Sequence, residues 1–175
     1  AHNRGIRVAK DKVEPLALEL TTRKLKASLA AQAACGYPIN IGSNKQLAFY
    51  CYNLKKYKMP RERGQDKRTV DGDTIADLRK AVGPEPDLEG EEKNGLAFEE
   101  MAARIEEGAD PILESRVIYA SALQEYSHYI QPCYSDSMLV DRIYPEFKLH
   151  TQATGRWSTT GVPMAQLPKH LRSIV

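Results

Sequence analysis

Seven basic side chains stand against two acidic ones in residues 55–68, KKYKMPRERGQDKR. Lys55, Lys56, Lys58, Arg61, Arg63, Lys67 and Arg68 could hold phosphate oxygens, because a cationic stretch can follow a polyanion without a fixed register. Taken alone, a charge run of this size is more often a solvated turn between helices. A second concentration of polar chemistry lies in residues 150–175, HTQATGRWSTTGVPMAQLPKHLRSIV. There Thr154, Arg156, Ser158, Thr159, Gln166 and Arg172 supply hydrogen-bond donors in a segment punctuated by Gly155, Gly161, Pro163 and Pro168.

Other residue types give weaker leads. His2, His128, His150 and His170 share no metal-ligand spacing. Ser158 with His150 or His170 lacks both a third orienting group and the glycines of a nucleophile elbow. Cys35, Cys51 and Cys133 are odd in number and show no ligand spacing, which reads as reduced thiols in a cytosolic protein. Of the tyrosines near the basic run, helical spacing puts Tyr50 in the core and leaves Tyr57 as the candidate for stacking on bases. Trp157 reads as a packed aromatic.

The elements that must position these residues are mostly helices. Asp11 with Glu14 suggests a capping box, and Val13, Leu16, Ala17, Leu20, Leu25 and Leu29 recur at helical spacing before CGYP. Ser43 and Gln46 suggest a second box, followed by a stripe of Leu47, Tyr50, Cys51 and Leu54. A third helix opens near Asp71 or Asp73 and turns Ile75 and Leu78 inward. Residues 84–95, PEPDLEGEEKNG, read as a polar, mobile acidic connector. A short helix then holds Leu96, Phe98, Met101, Ala102 and Ile105. Asp110 caps a last one, with Pro111 at its first position and Ile112, Arg116, Tyr119, Leu123 and Tyr126 along one side. After Pro132 the composition turns towards short strands.

Charge is segregated. Residues 1–83 carry 17 Lys/Arg against 8 Asp/Glu, and residues 84–114 carry 2 against 11. Such a field draws a polyanion to one region and away from the other. No apolar run approaches the ~20 residues that cross a bilayer, so no membrane partner is expected.

The tail resembles family A DNA polymerases. Thr154, Gly155, Arg156, Trp157, Ser158 and Thr159, then Gln166, Leu167, Pro168 and Arg172, match the segment that precedes their first catalytic aspartate motif. Upstream, RGIRV is similar to the start of the polymerase thumb and PINIGSNKQL to its asparagine, serine and glutamine-leucine signature. MPRERGQDKRTVDGDTIADL is similar to the thumb tip, and DPILESRVI to the helix returning to the palm. The resemblance runs through nearly the whole chain in the family's order. It implies a mainly α fold, an elongated helical thumb with a short β-containing palm segment at the C-terminus. Residues 1–131 would be the thumb, with its basic tip at 55–68 and the acidic connector at 84–95, and residues 132–175 the start of the palm.

The implied partner is duplex primer-template DNA. Minor-groove acceptors occur on every base pair, so Arg156 and Gln166 would read shape without choosing a base. Thr154, Ser158 and Thr159 would orient the strand, and Lys55, Lys56, Lys58, Arg61, Arg63, Lys67 and Arg68 would meet phosphates further along. The match is incomplete: Ala165 and Pro163 stand at amide positions, Trp157 replaces a leucine, and the usual lysine is missing from RVIYASALQEY. The tryptophan suggests a divergent, phage-like branch. The family's first metal-binding aspartate would lie after Val175, so no cofactor or metal site is expected in this chain. Two magnesium ions and a dNTP belong to the complete polymerase, whose remaining palm and fingers would come from the same gene or a separate chain. A non-catalytic DNA-binding module and one chain of a split polymerase are the alternatives, and a cytoplasmic setting, bacterial or phage-infected, fits all three.

Overall fold

The computed structural model describes residues 5–59, 70–134, 142–144, 146–148, 158–160 and 171–172. These are mainly helical: α1 (Lys10–Cys35), α2 (Asn44–Phe49), α3 (Gly72–Val82), α4 (Leu88–Asn94), α5 (Phe98–Glu106) and α6 (Pro111–Glu125). Both α2 and α6 run on into π-helical turns, Tyr50–Leu54 and Tyr126–Ile130. Four short strands form two antiparallel pairs. β1 (Ile6–Arg7) lies beside β2 (Arg142–Ile143), and β3 (Glu146–Lys148) beside β4 (Ser158–Thr160). No helix among the described residues is long and apolar enough to cross a membrane.

Two compact units divide the chain, one of Ala1–Thr22 with Leu123–Val175, the other of Arg23–Ala122. The first contains both strand pairs and buries Val8, Val13, Leu20, Tyr129, Ile130, Cys133 and Leu171. At Gly5, left-handed at φ 60°, a Cβ would fall 2.6 Å from the Tyr144 ring, so only glycine fits that backbone beside the aromatic. In the second unit Ala27, Ala31, Ile39, Ile41, Leu47, Ile75, Leu78, Leu96, Ile112, Leu113 and Ile118 make one core. Arg23 donates from Nη2 to the Leu96 carbonyl at 2.8 Å, tying α1 to the loop before α5.

Several local expectations are corrected. Helix α1 starts at Lys10, with the Ala9 carbonyl accepting from the amides of Lys12 and Val13, so Asp11 lies in the first turn and is not the cap. Its buried stripe is Val13, Leu20, Ala27 and Ala31, while Leu25 and Leu29 are more than half exposed. Small alanines let neighbouring helices approach, and the leucines turn outward. Ser43 makes no capping bond; the Gln46 side chain instead accepts from the Asn40 amide at 2.8 Å, across the loop. Asp71 does cap α3, accepting from the Thr74 amide at 2.8 Å. The inward face of α6 is Ile112, Leu113, Glu114, Ser115, Ile118 and Ala122. It is rotated from the expected side, which leaves Arg116 only half-buried.

The acidic connector is corrected as well. It contains α4, capped by Asp87 through the Gly90 amide at 2.9 Å, and its Glu91 enters a buried ion-pair network. Arg79 reaches Glu91 in two bonds of 2.6 Å and Glu114 in bonds of 2.9 and 2.6 Å. Arg104 joins from the other side, donating to Glu114 at 3.1 and 3.3 Å and to the Pro84 and Glu85 carbonyls at 2.9 and 3.2 Å. Burial works against the Arg79 charge, but the hydrogen bonds and charges of Glu91 and Glu114 outweigh it and hold the guanidinium protonated above its usual range. Two cations and two anions balance; α3 and α5 are fastened to the Glu114 carboxylate of α6, and α4 is fastened to α3 through Glu91 and Arg79.

Removing one partner from such a network strands the remaining charges away from water. Glu114→Ala is therefore expected to destabilise the fold by about 3–5 kcal/mol, read as a lowered urea midpoint. Glu91→Ala should cost less, because Arg79 keeps Glu114.

Candidate nucleic-acid interface

The basic segment leaves the protein from a locked base. After the π-helical turn, the Lys55 amide donates to the Tyr50 carbonyl and the Tyr57 amide to the Cys51 carbonyl, both at 2.9 Å. Between them Lys56 adopts a left-handed backbone at φ 57°, which for a residue with a Cβ costs about 1–2 kcal/mol. That reversal sends Lys55, Lys56 and Lys58 into solvent, where all three are exposed. Lys55 Nζ lies 5.7 Å from the centre of the Tyr50 ring.

Asp110 holds this base. Its Oδ2 accepts from the hydroxyls of Tyr50 at 2.8 Å and Tyr57 at 2.5 Å, while its Oδ1 accepts from the amides of Ile112 and Leu113 at 2.8 and 3.1 Å. One buried carboxylate thus caps α6 and fixes both ends of the turn that launches the lysines. Tyr57 packs against the core, so the expectation that it stacks on bases is corrected: its hydroxyl is committed to Asp110. Tyr50 is buried, as its spacing predicted. Burial first, and then hydrogen bonding to the Asp110 carboxylate, raise both phenols above their ordinary range, and burial pushes the Cys51 thiol up to about 12.

Of the remaining basic residues, Arg61, Arg63, Lys67 and Arg68 lie outside the described residues, as do Thr154, Arg156 and Gln166. Ser158 and Thr159 fall in β4, paired with Lys148 and Phe147 of β3. The tail segment is therefore strand at Ser158–Thr160. Arg172 is exposed beside the buried Leu171. No group of three or more potential metal-ligating side chains occurs among the described residues.

Two features near α2 went unnoticed in the sequence. An open groove of about 530 Å³ is lined by Asn44, Lys45, Ala48, Phe49, Asn53, Val70 and Asp71, with Phe49 half-exposed. Arg116 of α6 reaches the Asn44 side-chain oxygen at 3.3 Å. The signal for Arg116 was available: Ile112, Leu113, Tyr119 and Ala120, three and four residues away on the helix, include no acid to pair with it.

No family model and no curated protein matches the chain. Among solved structures it is similar to the POL domain of Pol1 from M. smegmatis in complex with DNA primer-template and dNTP. That likeness has a TM-score of 0.65 at 23% sequence identity and covers 97% of this chain. The chain spans 25% of the length of that structure. The likeness establishes the fold, that of part of a polymerase domain.

The Asp110 clasp makes a prediction at alkaline pH. Tyr50, Tyr57 and Cys51 stay protonated in the fold beyond the point where they ionise in the unfolded chain. Their stabilisation is complete below about pH 9 and is lost as pH rises past about 10, because the unfolded state then binds fewer protons. Tyr57→Phe should remove a hydrogen bond to a charged group, costing about 1.5 kcal/mol at neutral pH, and should flatten the alkaline decline in urea-unfolding stability. An unchanged decline would remove Tyr57 from the clasp.

Proposed function

We propose that this chain is the duplex-gripping portion of a family A DNA polymerase, with residues 1–131 as thumb and 132–175 as the start of the palm. The observation that carries this reading is the ordered run of thumb and palm-entrance motifs in a chain whose fold, over 97% of its length, is similar to a polymerase domain bound to primer-template and dNTP. The exposed lysines at 55, 56 and 58 support it, since they are held on a rigid base and face solvent without needing a sequence-specific register.

In this reading the basic tip, Lys55 to Arg68, meets backbone phosphates. Arg156 and Gln166 donate to minor-groove acceptors, Thr154, Ser158 and Thr159 orient the strand near the primer end, and Arg172 adds a further contact. The cost of ordering these side chains is offset by release of counterions from the duplex, so the grip is tight at low salt and indifferent to sequence. Template-directed nucleotidyl transfer, with two magnesium ions and a dNTP, is the chemistry of the complete polymerase; none of the residues assigned here takes part in it. The remaining palm and fingers are the protein partner, and the phage-like affiliation rests on Trp157.

Binding of a fluorescent primer-template duplex across a salt series tests the reading. The chain should bind duplexes of unrelated sequence, with log K falling linearly against log salt. Replacing Lys55, Lys56 and Lys58 together by Ala should reduce that slope by about 0.9 for each phosphate no longer neutralised. Arg156→Ala should weaken binding with a smaller change in slope. Absence of binding at low salt would refute the reading.

A further inference from the structure

Arg79 and Arg104 each find a carboxylate; Arg116 does not. Among the described residues its polar contact is the neutral Asn44 oxygen at 3.3 Å, near the limit of a hydrogen bond, and its Nε is buried with no acceptor. The guanidinium lies 6.0 Å from the centre of the Tyr119 ring, and Lys24 Nζ lies 5.7 Å from the same centre. The ring attracts the Arg116 cation but carries no charge to neutralise it. Burial accordingly pulls the Arg116 pKa below its usual value. The ring itself is fixed in place: a Cβ at Gly42 would fall 2.8 Å from the Tyr119 hydroxyl, so the loop and the ring fit closely only with glycine there. Asn40, Gly42 and Asn44 are all exposed.

We propose that Arg116, with Asn44, beside the Tyr119 ring, is a binding site for a phosphate group. A small rotation of the side chain presents Nε and Nη2 as a fork to two phosphate oxygens, the bidentate geometry that a guanidinium offers and an ammonium does not. The Asn44 amide can turn its NH₂ towards a third oxygen. The source of the phosphate rests on the duplex-gripping reading: it is one backbone phosphate of the duplex, held apart in sequence from the basic tip. A free phosphate offers the same chemistry.

The test follows the Arg116 Nε–Hε signal by NMR in the ¹⁵N-labelled chain, assigned by its loss in Arg116→Lys, during titration with inorganic phosphate and separately with primer-template duplex. Duplex affinity is measured in parallel across salt for the wild type, Arg116→Ala and Asn44→Ala. The signal should move with both ligands. Arg116→Ala should lower duplex affinity about 3–10-fold and the salt slope by about 0.9. Asn44→Ala should lower affinity less and leave the slope unchanged, and it serves if the arginine variant fails to fold. If the duplex binds while the signal and slope stay put, the site is refuted and the duplex reading survives. If phosphate moves the signal and no duplex binds, the duplex reading falls and the site remains one for free phosphate. If neither ligand acts, both are wrong.

Discussion

A single buried carboxylate decides how the helices of the second unit can sit. Glu114 is 1% exposed and accepts from both Arg79 and Arg104. An unpaired anion in that position would be very unfavourable, so α3 and α5 must each deliver a guanidinium to α6, and α4 must deliver Glu91 to balance the second positive charge. Apolar packing alone would tolerate sliding of one helix on another. Forked guanidinium–carboxylate geometry tolerates little, because a displacement of an ångström or two leaves a charge without its partner. The network therefore specifies arrangement more than it adds stability, and α6 becomes the fixed element against which others are placed.

The basic segment is anchored to that same element. Asp110, at the start of α6, repeats the device at smaller scale: its two oxygens serve the helix terminus on one side and two tyrosine hydroxyls on the other. The turn from Tyr50 to Tyr57 is thereby attached to the same helix that carries Glu114. Rigidity of the base and freedom of the lysines are compatible, since only backbone and tyrosines are held. Under the proposed duplex reading this division is useful, because long cationic side chains can adapt to local groove shape while their origin stays fixed.

The sequence was legible where local rules suffice. Asp110 as a cap, a helix opening near Asp71 or Asp73, Pro111 at a helix start, and Leu47, Tyr50, Ile75 and Leu78 as core all follow from spacing and capping chemistry. Legibility failed where partners distant in sequence decide. Leu25 and Leu29 looked like core residues until the alanines at 27 and 31 took that face, a choice made by helix approach and invisible to hydropathy. Glu91 looked like part of a solvated acidic run, and only Arg79, twelve residues away, withdraws it from water. Tyr57 has the residue type for stacking, but its hydroxyl belongs to an aspartate 53 residues later. In the candidate interface, composition pointed to the basic tip, whereas the fixed base beneath it required the fold.

Arginine shows why composition gives only part of a site. Arg79, Arg104 and Arg116 are equivalent in any charge count, yet two are internal braces and one faces a neutral amide beside an aromatic ring. The distinction lies in the partner. Arg79 and Arg104 with Glu91 and Glu114 sum to zero, so that cluster exerts little field beyond its own boundary. The charge on Arg116 is not cancelled in this way. A positive net charge therefore acts on a partner only through cations that the fold has not already committed to itself. The sequence counts 25 basic residues; the buried pairs decide how few of them are available to a polyanion.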